Sequence, residues 1–314
     1  MRTDEFDYTL PPELIAQTPI EPRSASRLLI LDRPTGALTH RHFYEILDYL
    51  RAGDLLVVND SRVIPARLYG RKAPAGGRVE ILLLAKRGER VWEALVGGKR
   101  VRPGTVIALD AAHGDIGRLE RSEERGEMLR CAQYDSPQPP AARVLDLTPA
   151  GGRLIEFEAP IEPWLDRIGQ VPLPPYIHEP LRDRERYQTV YARVEGSAAA
   201  PTAGLHFTPE LMAQARQLGA DFVSVTLHIG LDTFRPVQEE RVEEHRIHTE
   251  VCYLEPAAAA QINAARRAGQ RVIAVGTTAV RTLESAGRLA HERGLTDAVV
   301  PLAGPTDLFI YPGY

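Results

Sequence analysis

The chain has 314 residues, 44% hydrophobic and 25% charged, with a formal net charge of −4. Such a composition is that of a soluble globular chain with room for one large or two ordinary domains. The two cysteines, Cys131 and Cys252, stand far apart in no Cys-x-x-Cys pattern. This argues against a disulfide framework or a zinc ribbon and fits a reducing cytosol.

The N-terminus, Met1-Arg2-Thr3-Asp4-Glu5, has no apolar core of a signal peptide, and no window reaches the length of a membrane span. From Arg27 to about Phe157 the segments read as short strands: Leu28–Leu31, Leu55–Val58, Val63–Tyr69, Arg78–Ala85, Val91–Val96 and Thr105–Leu109. Turn signals separate them, among them Pro34-Thr35-Gly36, Gly76-Gly77, Gly97-Gly98 and Pro103-Gly104. One helix is expected at His42 to Leu50, and Ala132 to Ala142 reads as a loop or boundary. Closely spaced strands with Gly/Pro turns predict a small barrel or sandwich.

This region is also basic. Between Arg62 and Arg102 there are eleven Arg or Lys against three acids. The excess reads either as a phosphate-binding face or as a solvated, Arg-rich sheet surface. If Arg67 to Arg71 is extended, Arg67, Tyr69 and Arg71 share one face while Ala66 and Leu68 face the core. Guanidinium groups around an aromatic ring suit phosphates and an unpaired base.

The C-terminal half changes period. Helices are expected at Thr208–Leu218, Pro256–Ala268 and Thr278–Arg293, and strands at Phe222–His228, Val272–Val275 and Leu308–Tyr311. Alternation of this kind predicts a mostly parallel or mixed α/β sheet, whose ligands bind at the carboxyl ends of strands. That rule selects His228-Ile229-Gly230 and Gly276-Thr277-Thr278. The latter combines a close backbone approach, two hydroxyls and a helix N-terminus. Thr277, Arg281 and Glu284 fall on one face of the following helix, either as a ligand site or as a capped helix with an Arg–Glu pair.

Ala200-Pro201-Thr202-Ala203-Gly204-Leu205-His206-Phe207 carries a hydroxyl and an imidazole on a bent loop ahead of a helix start at Thr208-Pro209-Glu210. It reads as a site for a polar ligand or as an ordinary loop. His245 and His248, among acids, read as zinc ligands, as substrate contacts or as a hydrophilic connection. No Gly-x-Gly-x-x-Gly follows a strand and no P-loop is present, so a dinucleotide fold or an NTPase lacks support.

Taken together, several ordered stretches resemble the S-adenosylmethionine:tRNA ribosyltransferase-isomerase family of queuosine biosynthesis. They include Gly53-Asp54-Leu55-Leu56-Val57-Val58-Asn59-Asp60-Ser61-Arg62-Val63-Ile64-Pro65-Ala66-Arg67, Pro172-Leu173-Pro174-Pro175-Tyr176-Ile177 and Tyr187-Gln188-Thr189-Val190-Tyr191. The Ala200–Phe207 stretch belongs with them, as do Thr226-Leu227-His228-Ile229-Gly230, Val275-Gly276-Thr277-Thr278-Ala279-Val280-Arg281-Thr282-Leu283-Glu284-Ser285 and Phe309-Ile310-Tyr311-Pro312-Gly313. The resemblance covers nearly the whole chain. It also implies a further segment with Asn-Phe-His-Leu-Pro and a terminal helix, whereas this sequence stops at Tyr314.

The resemblance implies a small β-barrel inserted in a larger α/β domain, with the α/β part at 1–60 and 151–314 and the barrel at 61–150. It implies transfer of the ribosyl moiety of S-adenosylmethionine, a co-substrate, to the aminomethyl nitrogen of a 7-deazaguanine at the tRNA wobble position. Adenine and methionine leave, epoxyqueuosine forms, and no metal or redox cofactor takes part. The chain is expected to work as a cytoplasmic monomer with tRNA as partner and no membrane. On this reading His206 or His228 accepts the proton, and Asp307 binds ribose hydroxyls or orients a His. Thr202, Gly204, Gly230, Gly276, Thr277, Thr278, Arg281 and Glu284 hold the substrate. Arg62, Arg67, Tyr69, Arg71 and Lys72 hold tRNA. Two other classes remain: a non-catalytic RNA-binding protein, and a metal-dependent hydrolase using His245 and His248.

Overall fold

The computed structural model describes residues 1–111, 138–148, 151–230, 237–245, 247 and 249–314. The chain forms two compact units, Met1–Val63 with Leu173–Tyr314, and Ile64–Pro172 between them in sequence.

The first unit is built on a mixed five-stranded sheet. Its interior strand β3 (Leu55–Asn59) is buried along its whole length. Parallel to it run β12 (Asp221–His228) on one side and β14 (Val272–Ala274) on the other. Antiparallel β13 (Glu250–Leu254) and β15 (Leu302–Thr306) extend the sheet beyond β12. Leu and Val on both faces of β3 suit a strand covered from two sides. Leu55 and Val57 pack with α3 (Pro256–Arg267) and α4 (Thr277–Glu292) through Ala258, Ile262, Ala279 and Ala286. Leu56 packs on the opposite face with Phe43, Phe207, Leu211 and Met212, the last two from α2 (Pro209–Gln217). Leu56 is 1% exposed, a burial worth about 2 kcal/mol.

Local signals explain the helix ends. Thr208 is the N-cap of α2, its hydroxyl accepting from Leu211 N at 3.2 Å, with Pro209 in the first turn. Pro256 opens α3, and Arg266 and Arg267 occupy its last turn, where cations complement the helix dipole. A hairpin of β1 (Arg27–Leu31) and β2 (Leu38–His42) turns at Asp32, which accepts hydrogen bonds from Thr35. A two-stranded parallel pair joins β4 (Ser61–Val63) to β11 (Val194–Ser197).

The second unit is a closed six-stranded antiparallel barrel. Its strands are β5 (Arg67–Ala73), β6 (Arg78–Lys86), β7 (Val91–Gly97), β8 (Val106–Leu109), β9 (Ala142–Leu147) and β10 (Arg153–Phe157). Alternate residues fill the interior, among them Leu68, Ile81, Leu83, Ile107, Val144 and Ile155. Arg67, Tyr69 and Arg71 take the outward positions of β5, as the period of two requires. A short helix, α1 (Glu162–Ile168), packs Leu165 and Ile168 on this core.

Several boundaries differ from expectation. The second barrel boundary lies at Pro172 rather than 150, because β10 closes the barrel and α1 covers its core. The run Val63–Tyr69 is split between β4 and β5 around Pro65, which has no N–H to donate to a ladder. The helix near His42–Leu50 is a 3-10 helix, Phe43–Tyr49. The last strand is Leu302–Thr306 and not Leu308–Tyr311. Among the described residues it pairs only with β13, and an edge position tolerates Pro305. Of the expected loop at 132–142, residues 132–137 lie outside the described residues, and Ala142 begins β9.

Candidate active site at the carboxyl ends of the parallel strands

The first unit gathers polar side chains where β3 and β12 end. Asn59, the last residue of β3, is fully buried. Its Nδ2 donates to Leu227 O at 3.0 Å and to Thr278 Oγ1 at 3.1 Å, while its Oδ1 accepts from Ser61 N and Leu227 N. One amide thus fastens β3, β12 and the start of α4 together. Gly276 is the N-cap of α4, and Thr277 is its exposed first residue, so backbone N–H groups are presented there.

Asp60 follows, 1% exposed. Its Oδ1 accepts from Thr226 Oγ1 at 2.6 Å, and its Oδ2 pairs with Arg193 Nη2 at 2.8 Å. Its charge acts on two neighbours. It raises the pKa of Tyr191, whose hydroxyl is pushed well above the ordinary phenol range chiefly by burial. It opposes the fall in the pKa of His228, which burial depresses below the ordinary imidazole value. His228, the last residue of β12, stands edge-on to Tyr253 at 6.0 Å. Gly196 packs against its ring: with φ at +132°, a β-carbon there would come within 3.0 Å of Cε1 and Nδ1.

The Tyr187–Tyr191 stretch lies beside this group. The hydroxyl of Tyr191 would meet a β-carbon on Gly204 at 1.9 Å, and the methyl of Thr189 would meet it at 2.9 Å. Gly204 belongs to the 3-10 turn Thr202–His206, so that turn is shaped to the tyrosine. Ser61 Oγ, Thr189 Oγ1, Tyr191 OH and His228 Nδ1 are buried with no hydrogen-bond partner among the described residues. Burial pushes Tyr187 up to about 12. Buried polar atoms of this kind carry a desolvation cost that a bound ligand can recover. His206 sits on the same turn, its Nδ1 3.1 Å from Ala203 O and its ring 5.1 Å from that of Phe43. A proton on Nδ1 directed at that carbonyl leaves Nε2 as the acceptor.

The remaining expected site residues fall differently. Arg281 is committed within the protein: Nη1 donates to Glu250 Oε2 at 2.6 Å and Nη2 to Thr306 O at 3.0 Å. Its acidic partner is therefore Glu250 on β13, not Glu284, which is exposed and accepts from Tyr314 OH at 3.3 Å. Glu250 Oε1 also accepts from Gly230 N at 2.9 Å, so the amide of Gly230 is held internally. Thr202 and Asp307 are exposed, the latter just beyond β15. Arg62 bridges Glu185, and Arg67 pairs with Glu80 at 3.1 Å, whereas Arg71 is exposed. Tyr69 is half-buried, and Lys72 Nζ donates to Lys99 O at 2.7 Å. His245 Nδ1 lies 2.8 Å from Glu239 Oε2, and His248 lies outside the described residues, as does Cys131. Among the described residues no three His, Cys, Asp or Glu side chains form a metal-binding group.

Sequence reasoning passed over Asn59, Asp60, Thr189, Tyr191, Arg193 and Glu250 as site residues. Asn59-Asp60-Ser61 directly after an unbroken apolar strand was a signal for the first two: consecutive polar residues at a strand's carboxyl end occupy the ligand-binding edge of an α/β sheet.

The strand order, the covered sheet and the polar edge define an α/β protein with polar side chains gathered at the carboxyl ends of parallel strands, interrupted in sequence by a closed β-barrel. The model of the family described as queuosine biosynthesis protein matches residues 3–314, and the chain belongs to that family. A relative from Moorella thermoacetica named S-adenosylmethionine:tRNA ribosyltransferase-isomerase is 52% identical over 317 residues, spanning 100% of this chain and 84% of its own length. One of the same name from Symbiobacterium thermophilum is 49% identical with the same coverage. A solved structure of an S-adenosylmethionine tRNA ribosyltransferase from Thermotoga maritima is 34% identical, covering 99% of this chain and 80% of that one, with a TM-score of 0.44.

Proposed function

We propose that this chain is a transferase that moves the ribosyl moiety of S-adenosylmethionine to the aminomethyl nitrogen of 7-aminomethyl-7-deazaguanine at the tRNA wobble position. It isomerises that moiety to the epoxy-cyclopentanediol of epoxyqueuosine and releases adenine and methionine. The observation that supports the reading is the set of unpartnered buried hydroxyls around Asp60 and His228, in a chain half identical to enzymes of that name.

Each group has a task that its chemistry suits. His228, held neutral by burial, takes the proton from the carbon next to the sulfonium. Asp60 then faces the imidazolium so formed, and its own orientation is fixed by Thr226 and Arg193. Ser61, Thr189 and Tyr191 offer hydroxyls to the ribosyl oxygens, recovering the hydrogen bonds they lack in the protein. The N-terminus of α4, at Gly276, Thr277 and Thr278, suits the methionyl carboxylate. Arg281 and Glu250 act at one remove, fixing α4 against β13 and Gly230.

S-adenosylmethionine enters as a co-substrate, and no metal or redox step is needed. The chain is proposed to act in the cytoplasm as a monomer; no described helix is long and apolar enough to cross a membrane. The test is incubation with S-adenosylmethionine and an anticodon stem-loop bearing the aminomethyl-deazaguanine, followed by mass spectrometry. Adenine, methionine and modified RNA are expected together. Absence of adenine release would overturn the reading.

A further inference from the structure

The basic segment divides sharply in the structure. Five of its eleven cations are neutralised by carboxylates: Arg62 by Glu185, Arg67 by Glu80, Lys86 by Glu162, Arg87 by Glu93 and Arg90 by Glu156. The other six are Arg71, Lys72, Arg78, Lys99, Arg100 and Arg102. None of these has a carboxylate partner among the described residues.

Topology brings the six to one end of the barrel. Arg71 and Arg78 close the β5–β6 hairpin, while Lys99, Arg100 and Arg102 lie on the connection from β7 to β8. Lys72 ties these two connections together through its bond to Lys99 O. Arg71 stands directly opposite Arg78 in the ladder, where like charges destabilise pairing. Val101 is buried in the barrel core, anchoring a loop whose three cations are exposed. Arg100 holds φ at +58°, a conformation costly for a residue with a β-carbon. The like-charge pair and the strained arginine weaken the isolated barrel, while the buried Val101 holds the exposed cations in place. A polyanion seated on them reverses the electrostatic part of that cost.

We infer that this end of the barrel is a docking surface for the phosphate backbone of tRNA. The inference rests on tRNA being the substrate, as proposed above. It relocates the RNA contact expected from sequence: Arg62 and Arg67 are ion-paired, and the cations that remain lie at the hairpin tip and on the β7–β8 connection. Lys and Arg set at the end of a hairpin and on one connection follow a backbone without reading bases, so the surface contributes affinity rather than sequence choice.

The test compares K99Q/R100Q/R102Q with R87Q/R90Q, which removes ion-paired cations from the same barrel. Binding of an unmodified tRNA transcript is measured from 50 to 300 mM salt. The triple variant should bind more weakly, with the slope of log Kd against log salt reduced by roughly two to three. R87Q/R90Q should stay close to the parent, and adenine release at saturating RNA should be unchanged in both. Equal affinity and slope for parent and triple variant would overturn the surface, as would an equal loss in R87Q/R90Q. Adenine release with an unmoved RNA affinity would overturn the surface alone. Weakened RNA binding in a protein that never releases adenine would overturn the reaction and leave the surface standing.

Discussion

Tyr191 and Gly204 touch so closely that a β-carbon on the glycine would lie 1.9 Å from the phenolic oxygen. The tyrosine is half-buried with its hydroxyl enclosed near Asp60, and the glycine is in the turn that carries His206. One substitution therefore disturbs two parts of the proposed site. Gly204→Ala must push the ring or the turn aside, and overpacking of this kind costs about 1–3 kcal/mol. Thermal unfolding should register that loss, together with a rise in KM for S-adenosylmethionine. An unchanged KM would place Tyr191 outside the substrate site.

Tyr191→Phe separates the hydroxyl from the ring. The oxygen has no partner among the described residues, so stability should change little or rise. Turnover should fall by about tenfold, the worth of one hydrogen bond to substrate of about 1.4 kcal/mol. Full activity in this variant would show that the hydroxyl does not touch the ribosyl group.

His228→Ala should lower kcat by about 10²–10⁴, the range of a positioned acid–base group, while His206→Ala should cost less. The pH profile adds a sign. Burial lowers the pKa of His228 from 6.5, so its neutral form persists as pH falls below that value. The acid limb of kcat/KM should therefore lie below pH 6.5. Folding stability attached to this neutral imidazole is present above 6.5 and is lost as pH drops through the lowered value. Gly196→Ala, which presses on the His228 ring, should reduce kcat with the fold intact. Full turnover in both histidine variants would remove the imidazole from the mechanism.

Arg281 and Glu250 form a pair with side chains only 9% and 4% exposed. Removing one partner leaves a buried charge, at a cost of about 3–5 kcal/mol. Arg281→Ala should unfold at markedly lower denaturant concentration, and Glu250→Gln should do so less. If Arg281→Ala instead kept its stability and lost only substrate affinity, the guanidinium would be a ligand for the methionyl carboxylate.

Asp54 supplies an acid-side check on stability. Its buried carboxylate receives Arg271 Nε at 2.8 Å, and this hydrogen bond lowers its pKa from 3.8. The associated stability is complete above pH 3.8 and is lost as pH falls through the lowered value. Arg271→Ala should cost about 2 kcal/mol near neutral pH, and the difference from the parent should shrink in that acid range. Equal acid unfolding curves would contradict the pairing.

Much of the architecture was legible in the residues. Alternation along Arg67–Arg71 gave the outward face of β5, and Thr208-Pro209 gave the start of α2. The rule of strand carboxyl ends led to His228 and Gly276. The hidden parts were those that depend on partners remote in sequence. Glu250 reads as one acid among many, until β13 and α4 place it 31 residues from Arg281 in sequence and in contact with it in space. Leu302–Thr306 contains Gly304 and Pro305 and resembles a turn, yet lies at a sheet edge.

By itself the sequence determined period, turns, helix ends and a family pattern, because these follow from backbone sterics and local side-chain chemistry. Tertiary structure alone decided which charges are spent and which are available. Arg67 and Arg71 are equivalent outward positions on one strand, but Glu80 on β6 reaches only the first. Tyr191 likewise became a site candidate only when folding buried its hydroxyl without a partner beside the carboxylate of Asp60. Desolvation and pairing depend on distance in space, and the chain order does not specify that distance.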